Sequence, residues 1–232
     1  MTFVIAEIGV NWDGNLDLAK EMMTKAKEIG CNAVKFQAFN EKTLEDHPER
    51  SRLMKSAISK TNIESINSMA KKVGIEWFCT PMYPEVVDIL NPYVNRFKIR
   101  EKDGQSLLKN KVSALLEKVL KTNKEMIVSV VESPRTTKFF NYPNIKWLYC
   151  VPKYPCATSD LDFRNLKDYH GYSNHCPEII APLIAAILGS EIIEVHVTSD
   201  KSKNFFDNNV SFDYSALKEL VRLIRYSEKI MK

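Results

Sequence analysis

The sequence has no apolar run long enough to cross a membrane and no segment of low complexity. Its most apolar stretch, residues 179–188, is too short to span a bilayer and is interrupted by Pro182. The apolar residues 3–9 are not preceded by a basic region or followed by a cleavage site, so we see no targeting segment. We therefore expect a soluble protein with no membrane partner.

Paired cysteine motifs are also missing. The five cysteines form no C-x-x-C pair, and their odd number argues against a disulfide framework. We interpret them as reduced thiols, which predicts a cytoplasmic protein. They are Cys31, Cys79, Cys150, Cys156 and Cys176.

A strong excess of one charge is absent as well. The 33 basic and 29 acidic residues leave a net charge of +4, and the basic residues are spread along the whole chain. This charge is too weak and too diffuse to indicate a nucleic-acid partner, but it suits anionic small-molecule substrates.

What the sequence does contain is a regular alternation of strand-like apolar runs and amphipathic segments. Eight such units fill the chain, and each has about the length of one strand, one helix and two short loops. This pattern predicts one α/β domain over residues 1–232, a (β/α)8 TIM barrel of the aldolase type. A doubly wound open sheet is the competing layout. The strand-like runs are 3–8, 32–37, 75–80, 96–99, 126–131, 145–150, 170–174 and 191–197.

Several helix boundaries carry sequence signals. They are an N-cap at Asn15 with a stop at Gly30, a capping box in residues 61–64, Pro134 at the first position of a weak helix near 134–140, and Asp213 as the N-cap of a final helix over 214–231. The insertion at 40–61 is irregular. If the sheet closes, we expect Ile5 of the first strand to lie beside Val195 of the last.

The segment "IIEVHVTSD", residues 192–200, places two polar side chains inside an apolar strand. Because side chains alternate across a strand, Glu194 and His196 share one face and Val195 and Val197 share the other. In a barrel one of these faces points inward. The inward set then includes Lys35, Gln37, Lys98, Glu194 and His196, while Glu7, Thr80, Ser129, Ser173 and His175 occupy matching places near other strand ends. Their convergence on one mouth predicts an active site.

The two histidines at the ends of the last two strands predict half of a divalent-metal site, completed by water and substrate oxygens. A zinc site that uses Cys150, Cys156 or Cys176 is the alternative, although Cys176 faces the other way by parity. Lys35 and Lys98 would bind an anion as point charges. Singly, each lysine could instead extend to solvent, and the hydroxyl residues could be satisfied core positions. His47 and His170 receive no role.

Six stretches of the sequence together resemble the N-terminal catalytic barrel of the sialic acid synthase family. They are "IAEIGVNWDGNLDLAKEMMTKAKEIGCNAVKFQAF" (5–39), "WFCTP" (77–81), "FKI" (97–99), "YCVPKYP" (149–155), "GYSNH" (171–175) and "IEVHVTSD" (193–200). The resemblance covers nearly the whole chain in the right order. It implies a transferase that condenses phosphoenolpyruvate with an N-acetylated sugar aldehyde.

The resemblance also implies a role for each matching residue. His175 and His196 would bind a divalent metal, manganese first, with magnesium or cobalt possible, and Glu194 would support them. Lys35 and Lys98 would hold phosphoenolpyruvate. The other matching positions are Thr80, Ser129 and Ser173 around its phosphate and carboxylate, Glu7 and Asp207 at the sugar, and Gln37 and Tyr154 elsewhere in the pocket.

The sequence departs from the family pattern in places. Residues 100–103, "REKD", replace a small Gly-Ser-Gly-like turn that binds phosphate. By parity Arg100 lies on the same side as Lys98, so we expect it to supply the missing donors while Glu101 points away. The family's C-terminal antifreeze-like domain is also expected to be missing after Lys232. Further departures are Trp12, Pro152 and Asn174.

Three functions therefore remain open at the level of sequence. The first is the condensation of phosphoenolpyruvate with a sugar aldehyde, with a homodimer as a possible assembly. The second is an aldolase or lyase that uses Lys98 or Lys35 as a Schiff-base nucleophile. The third is a barrel that binds a sugar or a partner protein without turnover.

Overall fold

The computed structural model describes residues 1–231, and its centre is a closed barrel of parallel strands in the order β1 to β8. This confirms the barrel and excludes the open sheet, because β1 pairs with β8 as well as with β2. The strands are β1 (Phe3–Gly9), β2 (Ala33–Ala38), β3 (Glu76–Pro81), β4 (Arg96–Ile99), β5 (Glu125–Val130), β6 (Ile145–Cys150), β7 (Gly171–Asn174) and β8 (Ile192–His196).

The helices do not follow every strand. They are α1 (Leu16–Ile29), α2 (Arg50–Leu53), α3 (Ile63–Val73), α4 (Glu85–Leu90), α5 (Glu101–Leu108), α6 (Ala114–Lys121), α7 (Ile180–Ile187) and α8 (Tyr214–Ile230). Within residues 1–231, the β5–β6 and β6–β7 connections contain only 3₁₀ turns. The helix predicted near 134–140 is one such turn, Pro134–Thr136. None of the helices described is long and apolar enough to cross a membrane.

Aromatic side chains replace the missing helices on the outside of β6 and β7. The ring of Phe163, from the β6–β7 connection, lies 5.9 Å from Tyr149 and 5.1 Å from Tyr172. Tyr169 lies 5.5 Å from Tyr149, and its hydroxyl donates a hydrogen bond to the Val131 carbonyl at 2.7 Å. These rings cover the outer face of the two strands, where a helix would otherwise pack.

Two of the predicted helix starts are confirmed and one is wrong. Asn15 caps α1, which ends at Gly30 in the left-handed conformation, and Asp213 caps α8. The predicted capping box does not form, because α3 has Asn62, not Thr61, as its N-cap, and the Thr61 hydroxyl is hydrogen-bonded to the Ser59 hydroxyl at 2.8 Å. The polar groups of residues 59–62 therefore form hydrogen bonds with one another in a local turn and do not cap α3.

The closure of the barrel fixes which side chains face inward. Ala6, not Ile5, pairs with Val195, and Ile5 pairs with Glu194, so the expected neighbours are wrong by one residue. The observed register places Glu7 opposite His196. Since partners in register point to the same face, both side chains enter the barrel.

The outward faces of the strands form the main hydrophobic core under the helices. Val34, Phe36, Phe97 and Val195 are fully buried there. Full burial of each such side chain contributes on the order of 2 kcal/mol. Trp12 joins this core, with its ring 6.0 Å from Phe36 in an edge-on arrangement, and so has a packing role.

The irregular insertion at 40–61 lies over the ends of the first two strands. The Ile58 amide donates to the Gln37 carbonyl at 2.9 Å, and the Ser56 hydroxyl donates to the Val10 carbonyl at 3.1 Å. These two bonds hold the segment at the carboxyl-terminal mouth of the barrel.

Candidate active site

A chain of alternating charges crosses the floor of the mouth. Lys35 Nζ lies 2.8 Å from Glu7 Oε1 and 4.0 Å from Glu194 Oε1, and Lys98 Nζ lies 3.5 Å from the same Glu194 oxygen. All four side chains are almost completely buried. Because an unpaired buried charge is costly, each carboxylate and each ammonium group here depends on the others.

Hydroxyl groups from neighbouring strands complete this network. Lys35 Nζ donates to Thr80 Oγ1 at 2.9 Å, and Lys98 Nζ donates to Ser129 Oγ at 2.7 Å. The Ser173 hydroxyl donates to Glu194 Oε1 at 2.9 Å. Each lysine is therefore held by the hydroxyl of the following strand and keeps further donor capacity for a ligand.

The electrostatics of the network keep Glu194 and Lys35 charged. Burial alone would raise the pKa of Glu194, but Lys35, Lys98 and the Ser173 hydroxyl lower this pKa to about 2. Burial alone would lower the pKa of Lys35, but Glu194 and Glu7 outweigh it and raise the pKa. Lys35 is thus an ammonium group, which fits the binding of an anion.

Three polar side chains gather around Gly9, beside this network. Gln37 Nε2 donates to Glu7 Oε1 at 2.8 Å. A Cβ atom on Gly9 would lie 3.2 Å from that carboxylate oxygen, 3.2 Å from the Gln37 nitrogen and 3.3 Å from Asp207 Oδ2. Gly9 has a φ of 54°, so both the backbone and the available space favour glycine.

The two predicted metal ligands lie side by side. The rings of His175 and His196 are 5.4 Å apart and nearly buried, and the Tyr154 ring lies 3.9 Å from that of His175. His175 Nδ1 lies 2.8 Å from the Val151 carbonyl oxygen. Since a carbonyl can only accept, Nδ1 carries the proton and Nε2 keeps its lone pair for a metal ion.

The protonation of the two imidazoles differs. Burial and the neighbouring His196 lower the pKa of His175 to about 3, so His175 is neutral. Burial alone would lower the pKa of His196, but the carboxylates of Asp207 and Glu7 outweigh it and raise the pKa. His196 Nδ1 lies 3.3 Å from Asp207 Oδ2, which can orient this ring.

The residues present fit a divalent cation with open coordination positions. Glu7 Oε2 and Glu194 Oε2 are buried and have no hydrogen-bond partner. No group of three or more His, Cys, Asp or Glu side chains with metal-ligand geometry occurs among residues 1–231. A metal ion held by His175 and His196 would therefore take its other ligands from water and substrate.

The alternative zinc site with cysteine is not supported by this geometry. Cys150 Sγ lies 3.8 Å from His175 Nδ1, the nitrogen that is already bound to the Val151 carbonyl. Burial raises the pKa of Cys150 to about 12, so it is a thiol in the metal-free site. Cys150 nevertheless lines the cavity, as the contribution of β6.

The substituted turn after β4 forms the first turn of α5. Arg100 borders the same cavity as Lys98, as expected, and its Nε donates to Asp103 Oδ2 at 2.5 Å. Gly104 lets α5 approach β5, because a Cβ atom there would lie 2.6 Å from the Ser129 carbonyl oxygen. Glu101, which was expected to point away, also borders the cavity, and its carboxylate accepts a hydrogen bond from Gln105.

All twelve predicted site residues line one cavity of about 580 Å³ at the mouth. His47, for which no role was predicted, lines it too, with its ring 5.3 Å from that of Phe206. Both residues come from irregular loops without periodicity, so no pattern pointed to them. His170 lies outside the cavity, and its Nδ1 accepts a hydrogen bond from the Trp147 amide at 3.1 Å.

Comparisons with known proteins agree with this architecture. The NeuB family model matches residues 22–232. An uncharacterized protein of Methanocaldococcus jannaschii is 34% identical over 248 residues, covering 99% of this chain and 72% of that protein. The N,N'-diacetyllegionaminic acid synthase of Legionella pneumophila is 30% identical over 260 residues, and the alignment covers 99% of this chain and 73% of that synthase.

A solved structure is similar over the full barrel. The N-acetylneuraminic acid (sialic acid) synthetase of Leptospira borgpetersenii, crystallised in complex with citrate, has a TM-score of 0.87 and 27% identity. The alignment covers 99% of this chain and 85% of that one.

Fold, site and relatives together define an enzyme, a transferase that forms a carbon–carbon bond from phosphoenolpyruvate. The chain belongs to the NeuB family of sialic-acid-type synthases, which condense phosphoenolpyruvate with a sugar. The resemblance seen in the sequence is thereby confirmed.

Proposed function

We propose that this protein condenses phosphoenolpyruvate with the aldehyde of an N-acetylated sugar, assisted by a divalent metal ion, to give a nonulosonic 2-keto acid and phosphate. The observation that carries the proposal is the buried chain Glu7–Lys35–Glu194–Lys98 beside two adjacent imidazoles. The unpaired, buried state of the five cysteines supports a cytoplasmic site of action.

The lysine end of the cavity suits phosphoenolpyruvate. Lys98, Ser129 and Arg100 border it at the ends of β4 and β5, where donors can meet a phosphate group. Lys35 and Thr80 form the neighbouring pair at β2 and β3. The two lysines are already balanced by two glutamates, so a bound carboxylate and phosphate need additional positive charge. A metal ion would supply it, and Arg100, whose Nε is paired with Asp103, would add its remaining guanidinium donors.

The glutamate end of the cavity suits the acceptor sugar. Glu7, Gln37 and Asp207 converge around Gly9, and together they offer carboxylate acceptors and an amide donor for hydroxyl and acetamido groups. Asp207 lies beside His196, so a sugar held here places its aldehyde next to the imidazoles.

His175 and His196 would hold the metal ion, for which manganese is our first choice and magnesium or cobalt are alternatives. When bound, the ion would act as a Lewis acid that polarises the sugar aldehyde. Tyr154, which covers the His175 ring, would shield this position from bulk water.

The reaction forms one carbon–carbon bond and breaks one carbon–oxygen bond. C3 of phosphoenolpyruvate attacks the aldehyde carbon, and water adds to the cationic C2. The proton that this water gives up balances the one that the former aldehyde oxygen takes up. Glu7 and Glu194 each keep one carboxylate oxygen without a partner, so either can accept the proton from this water. Phosphate leaves with cleavage of its bond to C2, and Lys98, Ser129 and Arg100 stabilise the departing charge.

The Schiff-base alternative requires a neutral amine. Lys35 lies between two carboxylates and is held as an ammonium group, which has no lone pair for attack on a carbonyl carbon. Lys98 is likewise ion-paired with Glu194 and donates to Ser129. The geometry of both lysines therefore supports anion binding in preference to covalent catalysis.

The test is the release of phosphate from phosphoenolpyruvate across a panel of aldose acceptors with added manganese. We expect release that depends on both the acceptor and the metal, together with a 2-keto acid product that contains all carbons of both substrates. Borohydride trapping should give no adduct on either lysine. If an adduct forms, or if the metal and acceptor have no effect, the proposal is wrong.

A further inference from the structure

The cavity has an apolar side that the polar network does not explain. A second hydrophobic cluster, separate from the main core, is built on Val10, Phe39, Leu53 and Ala57, with Leu44 packed against it. Four of these side chains line the cavity, as does Phe206 from the loop after β8. We call this surface the apolar wall: Val10, Phe39, Leu44, Leu53 and Phe206.

The apolar wall lies further out along the strands than the groups that would bind the sugar. Phe39 follows Gln37 by two residues, and Val10 follows Glu7 by three. Two residues of extended chain correspond to about 7 Å. A six-carbon sugar with its aldehyde at His196 and its hydroxyls at Gln37 and Asp207 would therefore reach the wall with its far end.

Two loops close this end of the cavity over β1. His47, from the insertion after β2, meets Phe206 with the rings 5.3 Å apart. Arg52 joins the same loops, because its guanidinium donates to the Asn204 carbonyl oxygen. Phe206 is still 38% exposed, so part of its ring is available to a ligand.

Among residues 1–231, no lysine or arginine side chain of these two loops lines the cavity. Arg52 lies nearby but is paired with Asp13 at 3.3 Å and Glu49 at 3.3 Å, in addition to the Asn204 carbonyl. The basic groups that do line the cavity, apart from histidine, are Lys35 and Lys98 on its floor and Arg100 and Lys102 at the start of α5. A phosphate group at the wall would lose water and meet no lysine or arginine side chain, and His47 is the basic side chain beside it.

We propose that the acceptor is an unphosphorylated sugar whose far end is apolar, such as a 6-deoxy sugar with a methyl group, and that the apolar wall selects it. This inference rests on the proposed function, since it describes the acceptor of that reaction. The wall contributes to selectivity because it can bury a methyl group and because its apolar side chains offer no hydrogen bond to a phosphate group.

The test compares N-acetylmannosamine, its 6-deoxy analogue and its 6-phosphate as acceptors, with phosphate release from phosphoenolpyruvate as the readout. We expect the 6-deoxy analogue to be used best and the 6-phosphate to have a kcat/KM at least about 10-fold lower. Phe206→Lys should raise the kcat/KM ratio of 6-phosphate to 6-deoxy sugar by about 10-fold. Phe206→Leu, the matched apolar control, should keep the wild-type order, and Leu44→Lys serves if Phe206→Lys fails to fold.

Calorimetric titration with the same three sugars separates this inference from the proposed function. Tighter binding of the 6-deoxy sugar supports the wall even if phosphoenolpyruvate is not consumed, which would defeat the proposed reaction alone. Equal or tighter binding of the 6-phosphate, or no binding of any of the three, overturns the inference. Turnover that favours the 6-phosphate overturns it as well and leaves the condensation intact.

Discussion

Lys35 and Glu7 face each other across the β1–β2 pair, with Nζ 2.8 Å from Oε1 and both side chains almost completely buried. The stability of the barrel and the charge of its active site therefore depend on the same contact.

Lys35→Met should destabilise the protein by about 3–5 kcal/mol, because it leaves the Glu7 charge buried without its main partner. The double variant Lys35→Met with Glu7→Gln should recover a large part of that loss, since an amide carries no charge to compensate. Urea unfolding of the wild type, both single variants and the double variant measures the coupling. If the two single losses simply add, the contact has no such energetic role.

His196→Ala should abolish metal-dependent phosphate release while the unfolding midpoint stays near that of the wild type. The reason is that only two imidazoles are available as protein ligands in the proposed site, so the loss of one removes half of them. Metal titration and thermal unfolding of the variant are the measurements. Activity that survives exhaustive chelation in this variant would contradict the metal assignment.

Arg100→Ala should weaken the binding of phosphoenolpyruvate by about 10–100-fold, the loss expected for hydrogen bonds to a charged group. Arg164→Ala is the matched control, because Arg164 is an exposed arginine paired with Asp162 outside the cavity. Calorimetric titration with phosphoenolpyruvate and manganese gives both dissociation constants. Wild-type affinity in Arg100→Ala would show that Lys35 and Lys98 hold the anion without it.

Asp213 should make the stability of α8 depend on pH. Its carboxylate accepts hydrogen bonds from the Ala216 amide and the Ser215 hydroxyl, and these lower its pKa from the usual value. A group with a lowered pKa in the folded state stabilises the fold above its unfolded pKa of about 4, and this contribution is lost as the pH falls through the folded pKa.

Asp213→Ala should cost about 1 kcal/mol at neutral pH and little under strongly acidic conditions. Asp213→Asn is the control, because it keeps a capping oxygen without the titration. Urea unfolding at pH 7 and at pH 3 distinguishes them. A loss from Asp213→Ala that does not shrink on acidification would mean that the cap contributes through packing alone.

Much of the site could be predicted because strand alternation is strict. Once Val195 and Val197 were placed outside, Glu194 and His196 had to point inward, and the same parity placed Lys35 and Lys98 beside them. The barrel closure that brings β1 to β8 followed from the number of units. Register did not follow, and the expected Ile5–Val195 pairing was wrong by one residue.

The loops are the part that the sequence could not place. His47 and Phe206 meet because two irregular segments are folded over β1. Neither segment has the helical or strand periodicity from which the direction of a side chain can be predicted. The capping box predicted at 61–64 is absent for a local reason, since the Thr61 hydroxyl pairs with the Ser59 hydroxyl and α3 starts after Asn62. Local polar groups compete for the same donors, and the pattern alone does not show which bond forms.

The missing helices after β5 and β6 have a consequence for how the chain tolerates change. Residues 157–169 form a surface connection without an α-helix, and such segments usually accept substitutions and insertions freely. Here Phe163, Leu166 and Tyr169 take the place of a helix against the barrel. A mutational scan of this connection should therefore give the sensitivity profile of a hydrophobic core, with intolerance at these three positions and freedom between them.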